Sequence, residues 1–153
     1  MSAPCLLDAC TISNFLRRDA RQRFPELVGR IENIIREHGA CVSVVTSYEL
    51  RRGLRCLELR GEGQKRLART SLFLQEVTAF GLDANGGKGW DVAVEIYAQA
   101  QARTPAVTIS EGDLLTVATA IAHSRVLCTT DEKLATLLQG IGLGEYVDFL
   151  PLE

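Results

Sequence analysis

The chain has 153 residues, of which 46% are hydrophobic and 24% charged, and its formal net charge is −2. That length suits one domain spanning 1–153, able to bury roughly two thirds of its unfolded surface, and the composition excludes a disordered or low-complexity chain. Its apolar runs are strand-sized and no basic stretch leads into a hydrophobic one at the amino terminus, so the expectation is a cytoplasmic protein without a membrane span or secretory signal.

The pattern predicts strands alternating with helices. A first strand over residues 4–8 is followed by a helix near 12–18 and another over 25–37, where Leu27, Val28, Ile31, Ile34 and Ile35 recur at helical spacing and Gly39 is the stop. A second strand over 41–45 leads into a helix over 47–59. Gly61, Glu62 and Gly63 then turn the chain into a helix over 64–74, and these two helices are expected to form a hairpin projecting from the body. Residues 77–82 read as a third strand, Asn85-Gly86-Gly87 as a turn, and 88–102 as a helix closed by Pro105. Another helix spans 111–123, the apolar run from Val126 is a fourth strand, 131–138 is a short helix, and 146–150 is a terminal edge strand. Such alternation implies an α/β fold, a three-layer α/β/α sandwich around a mostly parallel sheet.

Charge is divided unevenly along the chain. From Arg17 to Arg69 there are 13 of the 17 basic residues against seven acids, and 12 of those cations are arginines. Guanidinium groups bind phosphate oxygens bidentately, so this flank suits a polyanion. The five cysteines are odd in number and lack zinc or redox spacing. Cys5, Cys41 and Cys128 lie in apolar strand runs and read as buried thiols; Cys10 does not. His38 and His123 form no zinc motif, and Trp90 and Tyr97, seven apart on one helical face, read as core or subunit-interface residues.

Four acids carry the chemistry. Asp8, Glu49, Asp113 and Asp131 each stand near the carboxyl end of a strand run, the edge where parallel α/β sheets place ligands. Carboxylates gathered there repel each other unless a hard cation neutralises them, and an oxygen-only set suits Mg²⁺ or Mn²⁺. Each acid also has a structural alternative. Thr46 to Glu49 and Ser110 to Asp113 fit the capping box, and Asp131 and Asp8 can cap turns, although Ala9-Cys10-Thr11-Ile12 makes a mediocre helix start behind Asp8. Phosphatase and P-loop readings fail on spacing. No arginine stands six positions after Cys10, no second aspartate stands two after Asp8, and no glycine-rich segment ends in Gly-Lys-Ser/Thr.

Leu6-Leu7-Asp8-Ala9-Cys10-Thr11-Ile12-Ser13, the stretch Thr46 to Leu54, Ile109 to Leu115, and Thr129-Thr130-Asp131 follow one another in an order that resembles the PIN-domain ribonucleases, especially VapC-type toxins. The resemblance covers nearly the whole chain. It implies a metal-dependent endoribonuclease acting as a toxin, with Asp8, Glu49, Asp113 and Asp131 as catalytic metal ligands for Mg²⁺ or Mn²⁺. Thr129 would be the hydroxyl that helps orient the site. It further implies an RNA substrate, a cognate antitoxin whose tail covers the acidic groove, and a homodimer. Arg51, Arg52 and Arg55 follow Glu49 on one helix and are candidates for phosphate contact. Cys10 stands where the family often has asparagine, so its thiol replaces a stronger hydrogen-bonding amide beside the metal ligands. Two other readings stay open: an RNA- or protein-binding module that does not cut, and a housekeeping or DNA-directed nuclease with the same site.

Overall fold

The computed structural model describes residues 3–153, so the expected domain of 1–153 includes two residues outside the described ones. β1 (Cys5–Leu7) is followed by α1 (Ala9–Phe15), α2 (Ala20–Arg23) and α3 (Pro25–His38), and β2 (Cys41–Ser43) by α4 (Val44–Leu59) and α5 (Gln64–Glu76). Then come β3 (Thr78–Phe80), α6 (Ala84–Ala102), α7 (Glu111–Ala122), β4 (Val126–Thr129), α8 (Glu132–Gly140), a 3-10 turn (Gly144–Tyr146) and β5 (Val147–Phe149). Among the described residues every strand pairing is parallel: β1 with β4, β4 with β5, and β2 with β3. β2 lies beside β1, so the strands run β3-β2-β1-β4-β5 across two ladders.

Alternation along these short strands builds two cores and hence three layers. Leu6 and Leu127, paired in register, have no exposed surface and face Ile96, Leu114, Val117 and Leu138 from α6, α7 and α8. Cys5, Leu7 and Cys128 turn to the opposite side, against Ile12 of α1 and Leu27, Ile31 and Ile34 of α3. Full burial of each such leucine contributes about 1.5–3 kcal/mol. Cys5, Cys41 and Cys128 are buried, as their apolar settings predict. Trp90 and Tyr97, in contrast, are half exposed on α6 with Val94 between them, so neither belongs to the core.

α6 begins earlier than expected only because its range encloses the expected turn, where Asn85, Gly86 and Gly87 all have positive φ. Two other helix starts differ because a side chain caps the backbone. Val44 and Val45 extend a β-branched run, yet they open α4 because the Ser43 hydroxyl accepts the Thr46 N–H at 2.9 Å. α1 begins at Ala9 because Asp8 caps it. The four-residue helix α2 has too short a pattern to read from sequence. The expected hairpin is present. α4 and α5 pack together across Gly61 and Gly63, both at φ +68°, a left-handed conformation that glycine adopts without penalty. Its root is pinned to α1 by the edge-on contact of Phe15 with Phe73 and by Arg69, whose Nε donates to the Leu16 carbonyl at 3.0 Å. His123 is half-buried at the end of α7, hydrogen-bonded to the Gly81 carbonyl at 2.8 Å and stacked edge-on against Phe80. Among the described residues, no helix is long and apolar enough to cross a membrane.

The approach of α6 to the chain after β3 depends on Gly89, where a Cβ would lie 2.7 Å from Leu82 Cα. Backbone cannot give way as a flexible side chain can, so Gly89→Ala is expected to destabilise by about 1–3 kcal/mol. Gly29 of α3 has open space around it, and Gly29→Ala should stabilise by about 0.5–1 kcal/mol. Equilibrium denaturation of the two variants checks both signs.

Candidate active site

Asp8 is the centre of a hydrogen-bonded knot. It leaves the carboxyl end of β1 with only 6% of its surface exposed and caps α1. Thr11 donates its backbone N–H (2.8 Å) and its hydroxyl (2.5 Å) to Oδ1, while the Thr129 hydroxyl donates to Oδ2. The cap that the sequence allowed at Asp8 is present, and the carboxylate makes the bond in spite of the poor helix formers behind it. Thr129 also accepts the Asp131 N–H at 3.0 Å, and Asp131 caps α8 through the Leu134 N–H at 3.1 Å.

The capping-box expectation for Glu49 is corrected. Since α4 starts at Val44 with Ser43 as its cap, Glu49 lies inside the helix and has no capping-box role. Asp113 sits in the first turn of α7. Its N–H donates to the Ser110 hydroxyl at 3.3 Å, and that hydroxyl donates to Asp113 Oδ2 at 2.8 Å, which differs from the reciprocal capping box. Gly112 makes room for the approach of the α4 acid: a Cβ there would stand 2.5 Å from Glu49 Oε1.

Three of the four acids are perturbed by burial and by neighbouring charges. Burial raises the Asp8 carboxyl above the ordinary range, against the opposing hydrogen bonds, and the Asp113 charge raises it further. Burial likewise raises Glu49, followed by the charge of Asp113, with Arg52 opposing and Asp8 adding to the rise. Asp113 is raised by burial and by Asp131. Three carboxyls thus resist ionisation together, a condition that a cation relieves.

The donor chemistry fits a hard divalent cation, because four carboxylates stand on four elements, with the Cys10 thiol only at the border, and Gly112 leaves Glu49 space beside Asp113. Convergence is less complete. Among the described residues, no three His, Cys, Asp or Glu side chains stand together closely enough to hold one ion as they are arranged. Cys10 borders the knot, where its sulfur accepts from the Thr130 hydroxyl at 3.3 Å and from Asn14 Nδ2 at 3.7 Å. Burial, with the charges of Asp8, Asp131 and Asp113, pushes its thiol up and keeps it protonated. Thr11, Asn14 and Thr130 were missed in the sequence. Thr11 and Asn14 stand three and six residues beyond Asp8 on a helix that starts at Ala9, and that start was the missing signal.

A groove of about 1090 Å³ opens from Glu49 between α1, α2, α4 and α5, and six arginines line it: Arg17, Arg18, Arg52, Arg60, Arg66 and Arg69. The structure divides the three arginines expected near the scissile phosphate. Arg52 shares the groove with Glu49 and lies over the Tyr48 ring at 5.2 Å. Arg51 and Arg55 instead line a separate depression between α4 and α5, where Arg55 pairs with Glu58 at 2.8 Å.

The family model described as PIN domain matches residues 5–137. No curated protein matches the chain by sequence. Among solved structures, a chain of VapBC2 from Rickettsia felis, bound to a DNA fragment from its promoter, superposes with a TM-score of 0.74 at 14% identity, covering 95% of this chain and 97% of that one. A chain of FitAcB from Neisseria gonorrhoeae gives 0.64 at 24% identity over 96% and 97% of the two chains. A chain of FitAB bound to the IR36 DNA fragment gives 0.64 at 24% identity over 97% and 94%. These likenesses show a shared fold.

Burial of the Asp8 charge has a measurable consequence. Because the folded-state pKa is raised, the destabilisation by ionised Asp8 is fully present above that pKa and disappears as pH falls through it. Asn keeps the cap and lacks the charge. Without added metal, Asp8→Asn should therefore melt higher than wild type at neutral pH, and the difference should close on acidification. Thermal melts across pH check this.

Proposed function

The chain belongs to the PIN-domain family, and from that premise we propose that it is a Mg²⁺- or Mn²⁺-dependent endoribonuclease, the toxin of a toxin–antitoxin pair. The observation that carries this reading is the meeting of two fields of opposite sign. Burial raises the carboxyls of Asp8, Glu49 and Asp113, the charge of Asp113 raises the first two further and that of Asp131 raises Asp113, and an arginine-lined groove runs up to Glu49. A polyanion drawn to the arginines ends at acids that require a cation.

In this reading Asp8, Glu49, Asp113 and Asp131 hold the metal. When bound, Mg²⁺ or Mn²⁺ supplies water activation and charge neutralisation for in-line displacement at phosphorus. The chain's own residues do the rest. Thr129 orients Asp8 and the turn that carries Asp131. Arg52, on the Glu49 side of α4, and Arg66, across the groove on α5, hold backbone phosphates next to the scissile bond. Cys10, kept as a neutral thiol, borders the ligands without acting as a thiolate, which leaves the site selective for hard cations.

The resemblance to VapC-type toxins, with VapBC2 and FitAB among the matched folds, supports a cognate antitoxin as partner. The exposed Trp90, Val94 and Tyr97 on α6 support a homodimer interface. A second reading, an RNA-binding module that does not cut, is favoured by one fact: no three acids converge among the described residues.

Cleavage of structured RNAs by antitoxin-free protein decides between them. Wild type is expected to cut at discrete sites with Mg²⁺ or Mn²⁺, while Asp8→Asn stays folded and inert. Arg52→Ala and Arg66→Ala should each weaken RNA binding and flatten its salt dependence by roughly one phosphate contact, with Lys88→Ala as a neutral control. Salt-sensitive RNA binding without cleavage under any metal would establish the binding module. Preferential cutting of DNA would point to the DNA-directed alternative.

A further inference from the structure

We propose that Thr11 is a positioning residue for the Asp8 carboxylate, a role that rests on the metal-dependent reading above. The resemblance to known nucleases points only to Thr129. The structure places a second hydroxyl in an equivalent position on the other carboxylate oxygen. Thr11, with no exposed surface, donates to Oδ1 at 2.5 Å and accepts the Thr130 N–H at 3.0 Å. Thr129 donates to Oδ2 and accepts the Asp131 N–H at 3.0 Å. Each threonine therefore gives its single hydroxyl proton to one oxygen of Asp8 and takes an N–H from successive residues of the β4–α8 turn.

The alternative acceptor for the Thr11 proton, the Cys128 carbonyl, is at 3.3 Å, so the carboxylate at 2.5 Å takes it. The Thr11 N–H at 2.8 Å adds a third bond to the same carboxylate. With both oxygens held from opposite sides, the torsion of Asp8 is fixed and the carboxylate keeps one orientation toward Asp113 and Glu49. The two halves of the site, the β1–α1 turn and the β4–α8 turn, also become one unit, since Thr11 belongs to the first and binds the second. A metal ligand that is free to rotate binds less tightly than one whose outer hydrogen bonds hold it.

Thr11→Val keeps the shape and removes the hydroxyl, and Thr11→Ser keeps the hydroxyl. The variants are compared with wild type by calorimetric Mn²⁺ titration and by cleavage kinetics, with folding checked by circular dichroism. Thr11→Val is expected to lose about 10–100-fold in Mn²⁺ affinity and a similar factor in kcat. KM for RNA should be unchanged because the groove arginines are untouched, and Thr11→Ser should recover to within about threefold of wild type. If Thr11→Val does not fold, Thr11→Cys, with a much weaker donor of similar size, takes its place with the same outcomes expected. Wild-type metal affinity and kcat in the hydroxyl-free variant would overturn the role of Thr11 alone. Equal losses in the Ser variant would do the same, by marking a packing effect. Wild-type protein that binds no Mn²⁺ would overturn the metal-dependent reading and the proposal with it.

Discussion

A buried carboxylate with both oxygens hydrogen-bonded is the constraint on which the site is built. Asp8 sits where water is nearly absent, and its charge is tolerated because three donors from Thr11 and Thr129 reach it. Those donors come from two chain segments more than a hundred residues apart. They meet because β1 and β4 are parallel neighbours, with Leu7 opposite Cys128, so that both strands deliver their carboxyl ends to one place. The hydrogen bonds do not fully offset burial, since the carboxyl remains raised. A fold optimised for stability alone would place a neutral group here.

Around that fixed point the remaining acids arrive from helices of different kinds. Asp131 and Asp113 stand at helix starts, where the first-turn amides and the helix dipole favour negative charge. Glu49 has no such support inside α4, and its place beside Asp113 depends on the missing side chain of Gly112. The arginines lie on the other side of Glu49. Arg52 is the cation that opposes the rise in the Glu49 pKa, which makes it the residue joining the acidic end to the basic groove. In the proposed reading, substrate attraction and metal attraction would fall to adjoining surfaces of opposite sign.

Much of this was legible in the sequence, for physical reasons that can be named residue by residue. The runs ending near Asp8 and Asp131 are apolar because their strands are covered on both faces, and that continuity marks buried parallel strands. The 3.6-residue pattern of α3 and the Gly39 stop gave its bounds to within one residue. Errors arose where a single hydrogen bond outweighed propensity. Ser43 turned two β-branched valines into helix, which moved Glu49 from a capping position to the helix interior. Asp8 started α1 three residues early, which brought Thr11 beneath the carboxylate and Asn14 next to Cys10. The separation of the three arginines has a reason available in the sequence: at 100° per residue, Arg52 follows Glu49 by three positions on one face, whereas Arg51 and Arg55 share a different one. The groove itself was not readable, because it needs the α4–α5 hairpin to fold against α1 through Phe73 and Arg69.

In the proposed function the four acids form one divalent-cation site organised by Asp8. The most direct measurement is an anomalous difference map from crystals grown with Mn²⁺. A peak bounded by carboxylate oxygens of Asp8 and Asp113, with Glu49 or Asp131 completing the set, is the predicted result. Absence of any peak there at saturating Mn²⁺, with Asp8 still turned to Thr11 and Thr129 and the other acids facing solvent, would contradict the account.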